Sequence, residues 1–186
     1  MIKSLIFITT FWALASCTHS DKQIKQADKT LEFEKICFHT SSCDGTCPVY
    51  HLEVTKDRKM RLFAEKVYKT TAASFSDFDS TKMGFFVGTV TDSNFNKLTR
   101  ELQNIDIDNF TFEKADCCDG SITTIIIYYN GKRKYISSMF LPPKSGKLIS
   151  LLNDICEKSK LTRVRGKKHR TYVFTFAIII NDNCSY

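Results

Sequence analysis

The sequence of 186 residues has only seven glycines, three prolines and one tryptophan. The low glycine and proline content argues against a low-complexity or disordered chain. The sequence also lacks a late apolar run of about 20 residues, the length that a bilayer-spanning helix requires. The longest such run, residues 172–180, contains Thr175 and is too short. No membrane-spanning helix is therefore expected.

The short motifs of the common catalytic classes are also missing. The chain has no Gly-x-Ser-x-Gly, no His-Glu-x-x-His, no phosphate-binding glycine loop and no dinucleotide-binding glycine pattern. His19 and His169 lie in polar flanking segments. Asp116 and Asp119 flank a cysteine pair and could bind a cation, but such loop carboxylates more often cap turns. We therefore assign no catalytic residue, cofactor or metal ligand and predict a non-enzymatic role.

Residues 1–16 have the parts of a secretory signal. Lys3 provides the positive start, residues 5–14 form a short apolar core, and two small residues precede Cys17. Residues 14–17, Leu-Ala-Ser-Cys, resemble the lipobox of bacterial lipoproteins. The resemblance implies that Cys17 receives a diacylglycerol and becomes the N-terminus of the mature chain. An ordinary secretory signal with an incidental cysteine is the alternative.

A lipidated Cys17 predicts a location in the cell envelope, with membrane lipid as a partner. Residues 18–30 are mostly polar and are predicted to be a solvated tether, or a short solvated helix. Residues 18–20 contain no aspartate next to Cys17, the residue that retains some lipoproteins at the inner membrane. This absence favours the outer membrane.

The net charge of +7 is concentrated near the C-terminus, because residues 163–170 contain five basic residues and no acidic residue. The simplest interpretation of this segment is a solvated loop. The functional alternative is contact with anionic lipid head groups. That contact would use Arg163, Arg165, Lys167, Lys168 and Arg170. Nucleic acid is not expected as a partner, since the protein is predicted to be exported and has no groove-reading motif.

Seven cysteines remain besides Cys17, so at least one stays free or pairs between molecules. They are Cys37, Cys43, Cys47, Cys117, Cys118, Cys156 and Cys184. Export permits disulfides. A local bridge between Cys43 and Cys47 is possible, and so is a bridge from one of them to Cys117 or Cys118. A bridge between the adjacent Cys117 and Cys118 would be strained.

Alternating apolar and polar residues and β-branched runs predict seven strands. These are residues 31–38, 49–55, 60–68, 84–90, 122–129, 132–140 and 171–180. Apolar residues at helical spacing predict one helix that is capped by Asp92 or Ser93 and ends near Asn104, and a second helix capped by Ser145. Asn130-Gly131 predicts a tight hairpin turn.

The dominance of hairpins predicts an α+β fold, with a mainly antiparallel sheet and two helices packed on one side. We place this domain at residues 31–161. A basic loop and a C-terminal strand extension follow at residues 162–186.

Residues 43–50 read Cys-Asp-Gly-Thr-Cys-Pro-Val-Tyr. They resemble the C-x-G-T-C-P-x-Y signature of an uncharacterised family of bacterial envelope lipoproteins, a domain of unknown function. The matching residues are Cys43, Gly45, Thr46, Cys47, Pro48 and Tyr50. Residues 36–158 follow the family's layout of two strand pairs, each followed by a helix. The resemblance implies the fold and an envelope location, but no activity.

This sequence departs from that family at three places. Asp57-Arg58 stands where an Asp-Gly turn is usual, and the pair Cys117-Cys118 and the extension after Leu161 are not typical.

Our leading hypothesis is a non-catalytic, lipid-anchored domain that binds an envelope protein partner or supports an envelope assembly. A thiol–disulfide redox protein using Cys43 and Cys47 is the alternative. However, the Cys-x-x-x-Cys spacing and the strand that follows do not predict activation by a helix dipole. A third hypothesis is a zinc module. Its ligands would be His39, Cys43 and Cys47, with Cys37 or His51 as the fourth.

Overall fold

The computed structural model describes residues 31–72, 74–111 and 119–164. Within them, the strands form one antiparallel sheet of seven strands in the order β6-β5-β1-β2-β3-β4-β7. The strands are β1 (Phe33–Thr40), β2 (Val49–Thr55), β3 (Lys59–Lys66), β4 (Gly84–Thr89), β5 (Thr123–Tyr129), β6 (Lys132–Ser138) and β7 (Thr162–Arg163). The helices are α1 (Asp92–Asn104) and α2 (Gly146–Lys158), and a short 3-10 turn at Pro143–Ser145 leads into α2. The predicted α+β class is confirmed.

Two hairpins show how the sequence determines local structure. Asn130 and Gly131 both have positive φ, 49° and 67°, as the predicted tight turn between β5 and β6 requires. In the turn between β2 and β3, Arg58 takes the left-handed conformation with φ of 65°. The Thr55 hydroxyl donates to the Lys59 carbonyl at 3.1 Å and holds that turn closed.

Side chains alternate between the two faces of the sheet. On β2, Tyr50, Leu52 and Val54 point to the face that we call the helix-packed face, where they are buried. Both helices bury apolar residues in that same core, which places them on one side of the sheet. These residues are Leu98, Leu102, Leu148, Leu152 and Ile155. Neither helix of the described residues is long and apolar enough to cross a membrane.

The N-terminal caps of the helices differ from the prediction. Thr91, one residue earlier than predicted, caps α1, and its side-chain oxygen accepts a hydrogen bond from the Asn94 N–H. Ser145 does precede α2, but its hydroxyl donates to the Pro142 carbonyl at 2.7 Å and makes no cap bond. The 3-10 turn before α2 engages the Ser145 hydroxyl in its own hydrogen bond, so that hydroxyl does not cap the helix.

The C-terminal part of the chain contains a strand where the sequence indicated a loop. Arg163 lies in β7, which pairs with β4, so it does not belong to a solvated loop. Its guanidinium donates to the Met83 carbonyl and lies 5.8 Å from the centre of the Phe86 ring. The predicted strand at residues 171–180 and the other four basic residues of the segment lie outside the described residues.

Candidate functional site

Residues 41–48 connect β1 to β2 and are called the signature loop below. Cys43 and Cys47 form a disulfide with a Cα–Cα distance of 5.6 Å, so the local bridge is the one present. Gly45 lies inside this small ring, where a Cβ atom would be 3.2 Å from the Cys43 sulfur. Because both cysteines are bonded to each other, neither is available to Cys117 or Cys118, which lie outside the described residues.

Hydrogen bonds hold the signature loop against the segment that precedes β5. The Asp44 N–H donates to the Asp119 carbonyl at 3.1 Å, and the Ser41 N–H donates to the Ile122 carbonyl at 2.9 Å. The Ser121 hydroxyl donates to the Ser41 carbonyl at 2.6 Å. The two loops are therefore joined through backbone bonds. Asp116 lies outside the described residues.

Thr40 fixes the exit of the signature loop, a role that we did not identify from the sequence. Its hydroxyl donates to the Pro48 carbonyl at 2.9 Å and accepts from the Tyr50 N–H at 3.0 Å. The side chain is buried. This role depends on how β1 and β2 pair, and alternation along β1 gives no direct signal for it.

Three signature residues line a cleft of about 520 Å³ on the helix-packed side of the sheet. Thr46 and Pro48 come from the signature loop, and Tyr50 comes from β2. Apolar residues of β3 and β4, Leu62 and Phe86, also contribute to the wall. The cleft thus joins the signature loop to the first half of the sheet.

The rim of the cleft is polar and comes from other parts of the chain, including Thr81 and Lys82 before β4. The segment after β3 contributes Lys69, and the C-terminal turn of α2 contributes Glu157 and Lys158. Lys158 is paired with Asp154 at 2.6 Å. Lys69 is exposed. The rim therefore carries charges of both signs around a partly apolar wall.

The buried titratable groups of the cleft are held in their neutral forms. Burial, and then the nearby Glu157, raises the pKa of the Cys156 thiol well above its usual range. Burial also raises the pKa of Tyr50, and Glu157 and Cys156 add to this effect. A thiol that stays protonated near neutral pH is a poor nucleophile. These two groups can pack and hydrogen-bond but are not activated.

The structure brings together both residues of the redox hypothesis. Cys43 and Cys47 form the disulfide, which precedes a strand as expected. Cys37 lies on the face of the sheet opposite the helices, and burial raises the pKa of its thiol to about 12. Among the cysteines of residues 31–72, 74–111 and 119–164, Cys37 and Cys156 are therefore buried free thiols of low reactivity, and the bonded pair Cys43 and Cys47 is half-buried.

The histidines of the zinc hypothesis stack on each other on that same opposite face. The rings of His39 and His51 are 4.4 Å apart between centroids. His39 Nδ1 lies 3.3 Å from the Tyr50 carbonyl, and His51 Nε2 lies 3.3 Å from a Glu65 carboxylate oxygen. Burial, and then His51, lowers the pKa of His39 to about 4. Burial lowers the pKa of His51 as well.

A metal would require further ligands near these histidines. In the described ranges, no group of three or more His, Cys, Asp or Glu side chains is arranged to hold an ion. Two of the four ligands that the zinc hypothesis names, Cys43 and Cys47, are consumed by the disulfide.

A family model described as Domain of unknown function (DUF6438) matches residues 34–156, more than half of the chain. The chain belongs to this family. The match runs from β1 almost to the end of α2 and agrees with the expectation of a domain of unknown function over residues 36–158. No curated protein matches the sequence. The DUF6438 domain thus contains the signature loop, while β7 and the C-terminal extension follow it.

Proposed function

We propose that this chain is a lipid-anchored cell-envelope protein whose DUF6438 domain binds an envelope protein partner, without catalysing a reaction, in the cleft beside the signature loop. The main support is the position of Thr46, Pro48 and Tyr50, three residues of the signature, in the wall of that cleft. A segment needed only to connect two strands would not have to line a cavity of about 520 Å³.

The rigidity of the signature loop supports a binding role. Its disulfide closes it, its backbone bonds to Asp119 and Ile122 hold one side, and Thr40 fixes the other side. A wall that is already ordered loses little conformational freedom when a partner binds, and that saving increases affinity.

The chemistry of the cleft supports binding more than catalysis. Its wall offers apolar surface from Leu62 and Phe86, and its rim offers hydroxyl and charged groups. Such a surface suits a protein segment that inserts an apolar side chain and pairs its polar groups at the rim. The buried thiol and phenol are held neutral, so neither acts as a nucleophile or base near neutral pH.

A photo-crosslinking experiment in cells tests the binding site. A photoreactive amino acid at Lys69, on the rim, is expected to give a discrete crosslinked species. The same probe at Lys97, on the exposed side of α1, is the matched control and should not give that species. Crosslinks that are absent at Lys69, or identical at both positions, would argue against the proposal.

The proposed anchor rests on the sequence. An apolar core at residues 5–14 leads to Cys17, and a polar segment separates this cysteine from the domain that begins near residue 31. We expect Cys17→Ser to abolish incorporation of labelled fatty acid and to release the protein from the membrane fraction. Cys184→Ser is the control and should behave like the wild type. A Cys17→Ser protein that still carries the label would contradict the anchor. The absence of aspartate at residues 18–20 favours the outer membrane.

A thiol–disulfide redox protein is the second candidate. The Cys43–Cys47 bridge favours it, because both cysteines are only half-buried and Thr46 between them lines the cleft. Reduction of insulin by the reduced protein, lost in Cys43→Ser, would support this candidate. A rate equal to the background would exclude the redox candidate.

The zinc module is tested by the zinc content of the same reduced sample, measured without chelator.

A further inference from the structure

The face of the sheet that lies opposite α1 and α2 is called the second face, and a part of it is buried although neither helix packs on it. Cys37, Glu53, Phe85 and Ile126 point to this face and are 6%, 5%, 3% and 2% exposed. A sheet face open to water normally carries polar, solvated side chains. This part of the second face therefore has the burial of a covered surface, whereas Tyr135 on β6 is 40% exposed.

Four stacked rings form a row across the second face. The centroid distances are 4.4 Å from His39 to His51, 5.4 Å from His51 to Phe63, and 4.4 Å from Phe63 to Phe85. Phe85 ends the row on β4, whose other neighbour in the sheet is the two-residue β7. Strand neighbours alone do not explain how a phenylalanine at this position is only 3% exposed.

A buried carboxylate that pairs with two cations also indicates that this part of the second face is covered. The Glu53 side chain is 6% exposed and lies 3.4 Å from the Lys35 ammonium and 3.5 Å from the Arg61 guanidinium. Carboxylates are almost never buried to this degree at an open surface, because water solvates them well. Pairing with two cations makes the burial tolerable once the face is covered.

The chain leaves β7 beside the end of the ring row. The Val164 N–H donates to the Phe85 carbonyl at 2.8 Å. Residues 165–170 can span about 20 Å when extended. The row from β4 to β1 crosses three strand spacings, about 14 Å. The next residues after 170 can therefore reach any part of the row.

Residues 171–180 have the composition that such a cover needs. They contain no charged residue, and large apolar residues at even positions alternate with mostly smaller ones. Tyr172, Phe174 and Phe176 would share one face of a strand, and Thr175 would lie on the other face. This segment follows the DUF6438 match, which ends at residue 156.

We propose that residues 171–180 of the same chain cover the second face, with Phe174 and Phe176 packed on the ring row. Three observations support this placement. Part of the second face is buried although no helix packs on it, and the chain leaves β7 beside Phe85. Residues 171–180 are uncharged, rich in aromatic residues and close enough in the chain to reach the row. A second copy of the chain or another protein in the same place would be a different occupant.

Two free thiols, one on each side of the sheet, make the proposal testable in the purified mature protein. Cys37 lies on the second face, and Cys156 lies in the core under the helices. We expect the double variant Phe174→Asp, Phe176→Asp to raise the alkylation rate of Cys37 about tenfold or more, because the cover opens locally. Peptide mass spectrometry should show Cys156 unchanged. Thr175→Asp, on the opposite face of the segment, is the matched control and should leave both rates unchanged.

An unchanged Cys37 rate in the double variant would overturn the proposal. If Cys156 reacts faster as well, the variant has unfolded, and a photoreactive residue at Phe174 in the otherwise unaltered chain decides the question. A crosslink within one chain to peptides of β1–β4 supports the proposal. Crosslinks between two chains, to another protein or only to the helices overturn it.

Discussion

Thr40 shows how a single buried hydroxyl connects the parts of the candidate site. It accepts from the Tyr50 N–H and donates to the Pro48 carbonyl, so it positions two signature residues at once. Buried polar groups are costly when a partner is removed, because the remaining group loses its solvation without compensation. The wall of the cleft therefore depends on a residue outside the signature.

We expect Thr40→Val, which preserves the shape of the side chain, to lower the free energy of unfolding by about 1–3 kcal/mol. Thr40→Ser keeps the hydroxyl and should lose clearly less. Denaturant unfolding of the purified domain measures both values. Equal losses for the two variants would show that the hydroxyl is not responsible.

His39 gives a prediction about pH. Its pKa in the folded protein is about 4, below the unfolded value of 6.5, chiefly because of burial. Between these two pH values the unfolded chain binds the proton first, so the free energy of unfolding decreases as the pH falls from 6.5 to 4. The contribution is fully present above pH 6.5.

The expected loss from this histidine is about 1–2 kcal/mol, allowing for its partial exposure. Urea unfolding of the wild type and of His39→Gln at several pH values separates this effect from that of the carboxylates. The variant should show a shallower decline. Parallel pH profiles would contradict the assignment.

At the scale of elements, the sequence predicted well what depends on local pattern. Alternation located β2 at residues 49–55 without error, and Asn130-Gly131 located the turn between β5 and β6. The predicted N-cap of α1 was wrong by at least one residue, because Thr91, Asp92 and Ser93 all have side chains suited to capping. Only the geometry of the chain entering the helix distinguishes them.

The cleft and the second face could not be predicted from the sequence. Thr46, Leu62, Phe86 and Glu157 meet at the cleft although they are far apart in the chain. The stacking of His39 on His51 depends on the register between β1 and β2, which pairs these two residues directly. A single sequence contains no direct signal for such long-range contacts.

The disulfide gives a prediction for the signature loop as an element. It closes a ring with a sequence separation of four residues. The loss of chain entropy in the unfolded state is small for such a short ring, about 2 kcal/mol. We expect the double variant Cys43→Ser, Cys47→Ser to be less stable by this amount but still folded.

The same double variant should weaken the crosslink from Lys69, because an unbridged loop must be ordered when the partner binds. Thermal unfolding and the crosslinking yield measure the two effects. A variant with wild-type stability and yield would show that the bridge has neither role.

In the whole molecule, different parts of the chain have different proposed roles. The DUF6438 match at residues 34–156 covers six of the seven strands of the described sheet almost completely, α1, nearly all of α2 and most of the cleft. We propose that Cys17 holds this domain at a membrane and that residues 171–180 close its second face. The cleft would then be the surface through which the domain recognises a partner in the cell envelope.

The most direct test fills the cleft and measures crosslinking from Lys69 in cells. Thr46→Trp places a large side chain in the wall, while Ser42→Trp alters the same loop at an exposed position that does not line the cleft. We expect Thr46→Trp to reduce the crosslinked species about fivefold or more and Ser42→Trp to leave it unchanged. A yield that is equal in both variants and the wild type would contradict the proposal that this cleft binds the partner.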